Sequence, residues 1–240
     1  MKKGILFIVL AAMVMTGCRQ VFGKRMRGNG NITSQTRNIT GFDRIDIGGA
    51  ADLFVKQDSV FSIRIEGDEN LLPYLETVKE GNTLYIHEAN NMNLRTTRGF
   101  KVYVSAPQFT EFRVSGACDL YSENQLQSSQ KIHVHLSGAS DVEMDVKSPM
   151  VEADLSGAGT IKLKGEAKDF DVDGSGSTDI KCYDLLTENT KVEISGAGSA
   201  QVSASVKLDV RVSGAGSVHY KGNPTVNQSV SGAGSVSKAN

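Results

Sequence analysis

The chain has no tryptophan, only 4 prolines and 3 cysteines among 240 residues, and 6% aromatic residues. Cys118 and Cys182 stand far apart and form no Cys-x-x-Cys pair, so no dithiol redox or zinc-ribbon spacing is present. A disulfide between them and two lone buried thiols both remain open. The apolar run from Ile5 to Val14 is too short to span a bilayer comfortably. There is no basic excess: 26 basic face 27 acidic residues, a formal net charge of −1, and over residues 18–240 the balance is 24 to 27, a net charge of −3. Nucleic acid is therefore not an expected partner. Aromatic residues in the second half are few and scattered (Tyr121, Phe170, Tyr183 and Tyr220), which weakens a sugar-stacking role, and Phe170 is expected to point inward.

What the N-terminus does contain is a targeting pattern. Lys2 and Lys3 precede the apolar run, and Met15-Thr16-Gly17-Cys18 follows it. This resembles the bacterial lipobox, which implies cleavage before Cys18 and lipidation of its thiol. Several acyl chains anchor stably, since each buried methylene adds about 0.8 kcal/mol. Residues 18–36 then read as a basic, flexible tether. It lacks the acidic cluster that resembles a surface-export signal, which points to the periplasmic face of the outer membrane rather than the cell surface.

Glycine is abundant, with 25 residues, and it is not randomly placed. A Ser-Gly-Ala turn, with variations, begins at Ser115, Ser137, Ser156, Ser175, Ser195, Ser213 and Ser231. A degenerate copy sits at Gly48-Gly49-Ala50. Before the turns, apolar residues alternate with polar ones, as in Ile132, Val134 and Leu136 against His133 and His135. After them, Leu120, Val142, Ile161, Ile180, Ala200, Val218 and Val236 fill one equivalent position. A period of two means strands. A unit of about 18–20 residues cannot bury its apolar face alone, but stacked units can. The pattern predicts an all-β fold, a parallel β-helix or β-solenoid. A β-sandwich of short hairpins also fits regular turn spacing, but it rarely keeps one turn sequence so constant.

The first half is less regular. Strands are expected over 44–47, 53–56, 61–66, 83–87 and 101–105, a single helical turn or short helix over 68–75, and a polar loop over 90–99. Several segments here carry a resemblance. They are Phe42-x-x-Ile45-x-Ile47-x-Gly49, Leu53-x-Val55-x-Gln57, Ile65-Glu66-Gly67-Asp68-Glu69-Asn70-Leu71-Leu72, Asn82-Thr83-Leu84-x-Ile86, and Lys101-Val102-Tyr103-Val104-Ser105-Ala106-Pro107. In this order, ahead of the Ser-Gly-Ala repeats, they resemble the GIN domain of Bacteroidetes-type lipoproteins, described as the head domain of auto-transporter adhesins. The likeness spans roughly residues 37–237. It implies a right-handed β-helix and no catalytic residues. The expected organisation is a signal peptide (1–17), a tether (18–36) and one domain (37–240), irregular over 37–114 and repetitive over 115–240.

Aligning the repeats predicts outward ladders. Four positions before each turn stand Glu111, His133, Glu152, Asp171, Lys191, Asp209 and Asn227. Two positions before stand Arg113, His135, Asp154, Asp173, Glu193, Arg211 and Ser229. One face would then place His133 and His135 beside Glu152, Asp154, Asp171 and Asp173. Four carboxylates so close repel, and a bound cation would relieve that. The patch is a candidate for a divalent cation or a sugar; the bland alternative is a solvated face offset by Lys191 and Arg211. After the turn, Asp119, Asp141, Thr160, Asp179, Ser199, Ser217 and Ser235 form another ladder, better suited to capping turns than to calcium.

No cofactor is expected. The turns lack a phosphate-loop ending and a following helix. Asp173-Gly174-Ser175-Gly176 lacks the strand-turn-helix setting of a nucleophile elbow. His87, His133, His135 and His219 assemble into no triad. The connections are too short to wall the groove of a β-helix polysaccharide lyase or hydrolase. The sequence therefore points to a non-catalytic, lipid-anchored envelope protein, an adhesin or ligand-binding head. The alternative is a periplasmic structural or envelope-stress lipoprotein. Partners would be the membrane, a glycan or an envelope protein, and a second copy through the C-terminal strand edge.

Overall fold

The computed structural model describes residues 23–239; the expected signal peptide and Cys18 lie outside them. The described chain is a stack of parallel coils, a β-solenoid of about seven turns. Each coil contributes strand to two long sheet faces joined at the Ser-Gly-Ala corner. On the first face the strands stack in the order Thr83–Glu88, Arg44–Gly49, Glu111–Gly116, Ile132–Gly138, and onward through Asp141–Gly157, Thr160–Gly176 and Asp179–Gly196 to Lys207–Gly214 and Thr225–Gly232. On the second, Phe100–Ala106 pairs with Ala51–Gln57, then Asp119–Ser122, the same three long strands, Ser199–Ser203, Ser217–Lys221 and Ser235–Lys238. The degenerate turn at Gly48-Gly49 pairs residue for residue with Ser115-Gly116.

Inward residues form columns along the stack. Ile132, Val151, Phe170, Thr190 and Leu208 follow one another in register. Leu53, Leu120, Val142, Ile161, Ile180, Ala200 and Val218 form a second column, all almost fully buried. Burying a Val, Leu or Ile side chain is worth about 1.5–3 kcal/mol, whereas an exposed ion pair contributes about 0–1 kcal/mol. The columns hold the rod, and its charged faces are free to serve another purpose.

The Ser-Gly-Ala corner is a backbone device. Gly116, Gly138, Gly157, Gly176, Gly196, Gly214 and Gly232 all have φ between +89° and +123°. The residue after each of the first six donates its N–H to the glycine carbonyl of the preceding coil, as Ala158 does to Gly138 O at 2.9 Å. Positive φ without strain is what only glycine offers here.

Both faces end in antiparallel strands at the N-terminal end. Leu75–Glu80 closes the first face against Thr83–Glu88. Ser62–Asp68 pairs with Phe100–Ala106, and Ile32–Arg37 pairs with Ser62–Asp68, closing the second. The first half is thus the cap that an open sheet edge requires. The expected helical turn is a 3-10 turn at Leu72–Tyr74 with Pro73 inside it. Among the described residues, Thr225–Gly232 and Ser235–Lys238 pair on one side only, and no helix is long and apolar enough to cross a membrane.

Two expectations need correction. The tether is strand over Lys24–Arg27 and Ile32–Arg37, and the polar loop 90–99 contains the strand Met92–Arg95, paired in parallel with Lys24–Arg27. These segments pair through backbone groups and carry little apolar alternation, so polar composition concealed them.

Asp68, fully buried, fixes this corner. It accepts hydrogen bonds from the Gly30 N–H at 2.8 Å, the Thr97 N–H at 2.9 Å and the Thr97 hydroxyl at 2.9 Å. Burial by itself would raise its pKa, but the bonds from Thr97 and Gly30 outweigh it and hold the carboxyl below its ordinary value. Asp68→Ala is expected to cost about 2 kcal/mol at neutral pH, since it strands these donors. A carboxylate whose pKa is lowered by folding stabilises above its unfolded pKa, and that gain is lost as pH falls through the folded value. Denaturant curves should therefore show the two proteins converging only below about pH 4.

Candidate functional site

The ladders predicted on the first face exist in the predicted register. Glu111 pairs with His133, His133 with Glu152, Glu152 with Asp171, and Asp171 with Lys191. Beside them run Arg113, His135, Asp154, Asp173, Glu193 and Arg211. The N-terminal cap extends both ladders, adding Arg44 next to Glu111 and Asp46 next to Arg113.

Side-chain geometry divides the six candidate residues. His133, His135 and Asp154 converge, with one ligand-type atom from each within 4.8 Å of the others. His133 Nε2 lies 2.8 Å from Asp154 Oδ2, and His135 Nδ1 lies 3.1 Å from the same oxygen. The two imidazoles are 3.7 Å apart between ring centres, tilted by 45°. Glu152 stands behind His133, its Oε2 3.7 Å from Nδ1, and is held by Lys131 Nζ at 2.6 Å. Glu111, from the preceding coil, stands behind His135 in the same way, 3.6 Å from Nε2, and is held by Arg113 at 2.7 Å. Asp154 has no Lys or Arg partner among the described residues; its ionic neighbours are the two histidines. Burial, then the adjacent His133 and Arg113, keep His135 below its ordinary pKa despite Asp154, so it is a neutral donor at neutral pH.

Asp171 and Asp173 do not join this group. They sit one coil on, lining a shallow 190 Å³ depression with Glu152, Asp154, Lys191 and Glu193. Burial raises the pKa of Asp171, with Lys191 opposing and Glu152 adding; burial, then Glu193 and Asp154, raises that of Asp173. The expected carboxylate repulsion is present there, and Lys191, 3.0 Å from Glu193, offsets part of it.

The post-turn ladder links successive coils, in part by capping backbone N–H groups. Asp119 accepts from the Asp141 N–H at 3.1 Å, Asp141 from the Thr160 N–H at 3.0 Å, and Asp179 from the Ser199 hydroxyl at 2.6 Å. Cys118 and Cys182 are free and buried, and burial pushes their thiols up to about 11 and about 12. They are inert at neutral pH.

Two features escaped sequence reading. Tyr103, Phe54 and Tyr121 stack along the second face at 5.0 and 5.4 Å, with the Arg64 guanidinium 4.0 Å from the Tyr103 ring centre. Both faces of Phe54 are covered by its neighbours, so this ladder consumes ring surface that a sugar would need. Where each coil passes from the second face back to the first lies a trough of 690 Å³, lined in part by Pro149, Ala167, Ala204 and the exposed Leu186.

This is a capped β-solenoid with charged flat faces and a histidine-carboxylate cluster, whose repeats hold outward side chains in fixed register. The family described as "Putative auto-transporter adhesin, head GIN domain" matches residues 41–224, and the chain belongs to it. Among solved structures, an adhesin so described ("putative adhesin") from Bacteroides fragilis superposes with a TM-score of 0.85 at 21% identity, covering 89% of this chain and all of that one. A "putative lipid binding protein" from Parabacteroides distasonis gives 0.74 at 26% identity, covering 90% of this chain and all of that one. A "putative adhesin" from Parabacteroides merdae gives 0.69 at 25%, covering 90% and 99%. No curated protein matches the chain.

Proposed function

We propose that this chain is a non-catalytic, ligand-binding head domain, held to the outer membrane of the cell envelope by lipid on Cys18 and acting as an adhesin. The observation that carries the reading is the first face itself: two ladders of outward polar and charged residues in unbroken register from Arg44 to Asn227. Such a face offers many weak, repeated contacts to an extended partner. Its depressions are shallow, and Glu111, Glu152, Asp154 and Glu193 are paired to cations or histidines rather than facing each other across a substrate cleft. Membership of the adhesin-head family supports the same reading. The trough beside Leu186 is where an acyl chain would lie if the lipid binding named for the Parabacteroides distasonis protein extends to this one.

A periplasmic structural or envelope-stress lipoprotein is the second reading, favoured by the basic stretch after Cys18 without an acidic cluster. Two linked measurements decide. Metabolic labelling with a clickable fatty acid should mark the protein and fail on Cys18→Ser; label retained on that variant would sink the anchor. Protease treatment of intact cells, blotted beside a periplasmic control, should remove an adhesin while sparing the control. Protection in intact cells with digestion after lysis would overturn the adhesin reading and leave the periplasmic one.

A further inference from the structure

We infer that His133, His135 and Asp154 form a three-ligand site for a divalent cation of the zinc class, built on the flat first face. It stands independently of the adhesin reading. Residues two apart on a strand point to the same side, so the two imidazoles act as a chelating pair, and the next coil brings Asp154 against both. Ligands about 2.0–2.2 Å from a tetrahedral zinc ion lie roughly 3.3 Å from each other. The nitrogen-to-oxygen distances of 2.8 and 3.1 Å are thus close to the edges of that tetrahedron before any ion binds.

A second feature points the same way. A ligating histidine is usually oriented by a carboxylate at its other nitrogen. Here both are: Glu152 faces Nδ1 of His133, whose Nε2 faces Asp154, and Glu111 faces Nε2 of His135, whose Nδ1 faces Asp154. Lys131 and Arg113 already neutralise these two outer carboxylates. Asp154 is the carboxylate left without a Lys or Arg among the described residues, and it is the one placed to ligate.

The donor set selects the ion. Calcium and magnesium prefer cages of six or more oxygens, and two imidazoles with one carboxylate suit zinc, copper or nickel instead. Asp154 is half exposed, so the fourth position opens to solvent, as in sites that exchange a ligand.

Calorimetric titration of the purified protein with Zn²⁺ near neutral pH should show one ion per chain at micromolar affinity or tighter, and no heat with Ca²⁺. Either His135→Asn or Asp154→Asn should abolish saturable uptake, and Glu152→Gln should weaken it by roughly 10-fold. Asp173→Asn, one coil away, should leave it unchanged. As a measurement free of any folding effect, Zn²⁺ added to the unaltered protein should shift the ring nitrogen resonances of His133 and His135, with His87 and His219 unmoved. Absence of saturable Zn²⁺ uptake would overturn the site. So would uptake undiminished in His135→Asn and Asp154→Asn, or shifts confined to His87, which lies 3.3 Å from Asp46.

Discussion

Gly157→Val is expected to destabilise the rod by about 4 kcal/mol. Two separate penalties combine. Gly157 has φ +105°, where an L side chain is strained by roughly 1–3 kcal/mol. A Cβ there would also sit 2.5 Å from the Gly138 carbonyl oxygen, which accepts the Ala158 N–H. That oxygen is backbone and cannot swing aside without breaking the coil-to-coil bond, so the chain must open by a further roughly 1–3 kcal/mol. Gly81 separates the two penalties: its φ is +58° and a Cβ there would meet nothing within 4 Å. Gly81→Ala should cost only about 1 kcal/mol, and Ser156→Ala, exposed beside Gly157, within about 0.5 kcal/mol. Urea denaturation of the three variants tests this. A Gly157→Val protein as stable as Gly81→Ala would show that the corner yields more easily than its geometry implies.

The same glycine column explains why so much of the rod was readable. Each turn needs positive φ and close backbone approach, so the turn sequence repeats, and the repeat sets the register of everything between. That is how Glu152 could be placed beside His133, and Asp154 beside His135, from alignment of the coils. Phe170 could be placed inward on the same basis, and it is buried. The first half obeys no such repeat. Arg44–Gly49 stacks between Thr83–Glu88 and Glu111–Gly116, out of chain order. Nothing in the sequence brings Phe54 and Tyr103 to Tyr121, because that stacking depends on the crossover. Within the candidate site, alignment could gather six residues but could not sort them. Sorting depends on side-chain conformations fixed by Lys131 on Glu152 and Arg113 on Glu111. The Asp68 contacts were hidden for a similar reason: Gly30 and Thr97 reach it from segments whose pairing is by backbone.

Phe170→Ala should cost about 4 kcal/mol, the usual range for emptying a buried aromatic site. Phe170 is 1% exposed and stands between Val151 and Thr190 in the inward column. Coils of a solenoid touch only their neighbours, so no distant element can close over the gap. The loss is also expected to be directional. The coils before Phe170 are backed by the antiparallel cap, whereas those after it lead to Thr225–Gly232, where Val230 is 40% exposed and Gln228 takes the place of Val210 in the neighbouring inward column of Val172 and Val192. Hydrogen exchange should therefore show protection falling most over 207–232 and least over 132–138. Uniform loss along the chain would mean that the rod unfolds as one cooperative unit and that the cap does not favour either end. With the expected gradient, His133 and His135 keep their backbone through the loss of the distal coils. Asp154 lies on the strand paired directly with that of Phe170. Zn²⁺ affinity in Phe170→Ala would then report how far the disturbance travels back toward the cap.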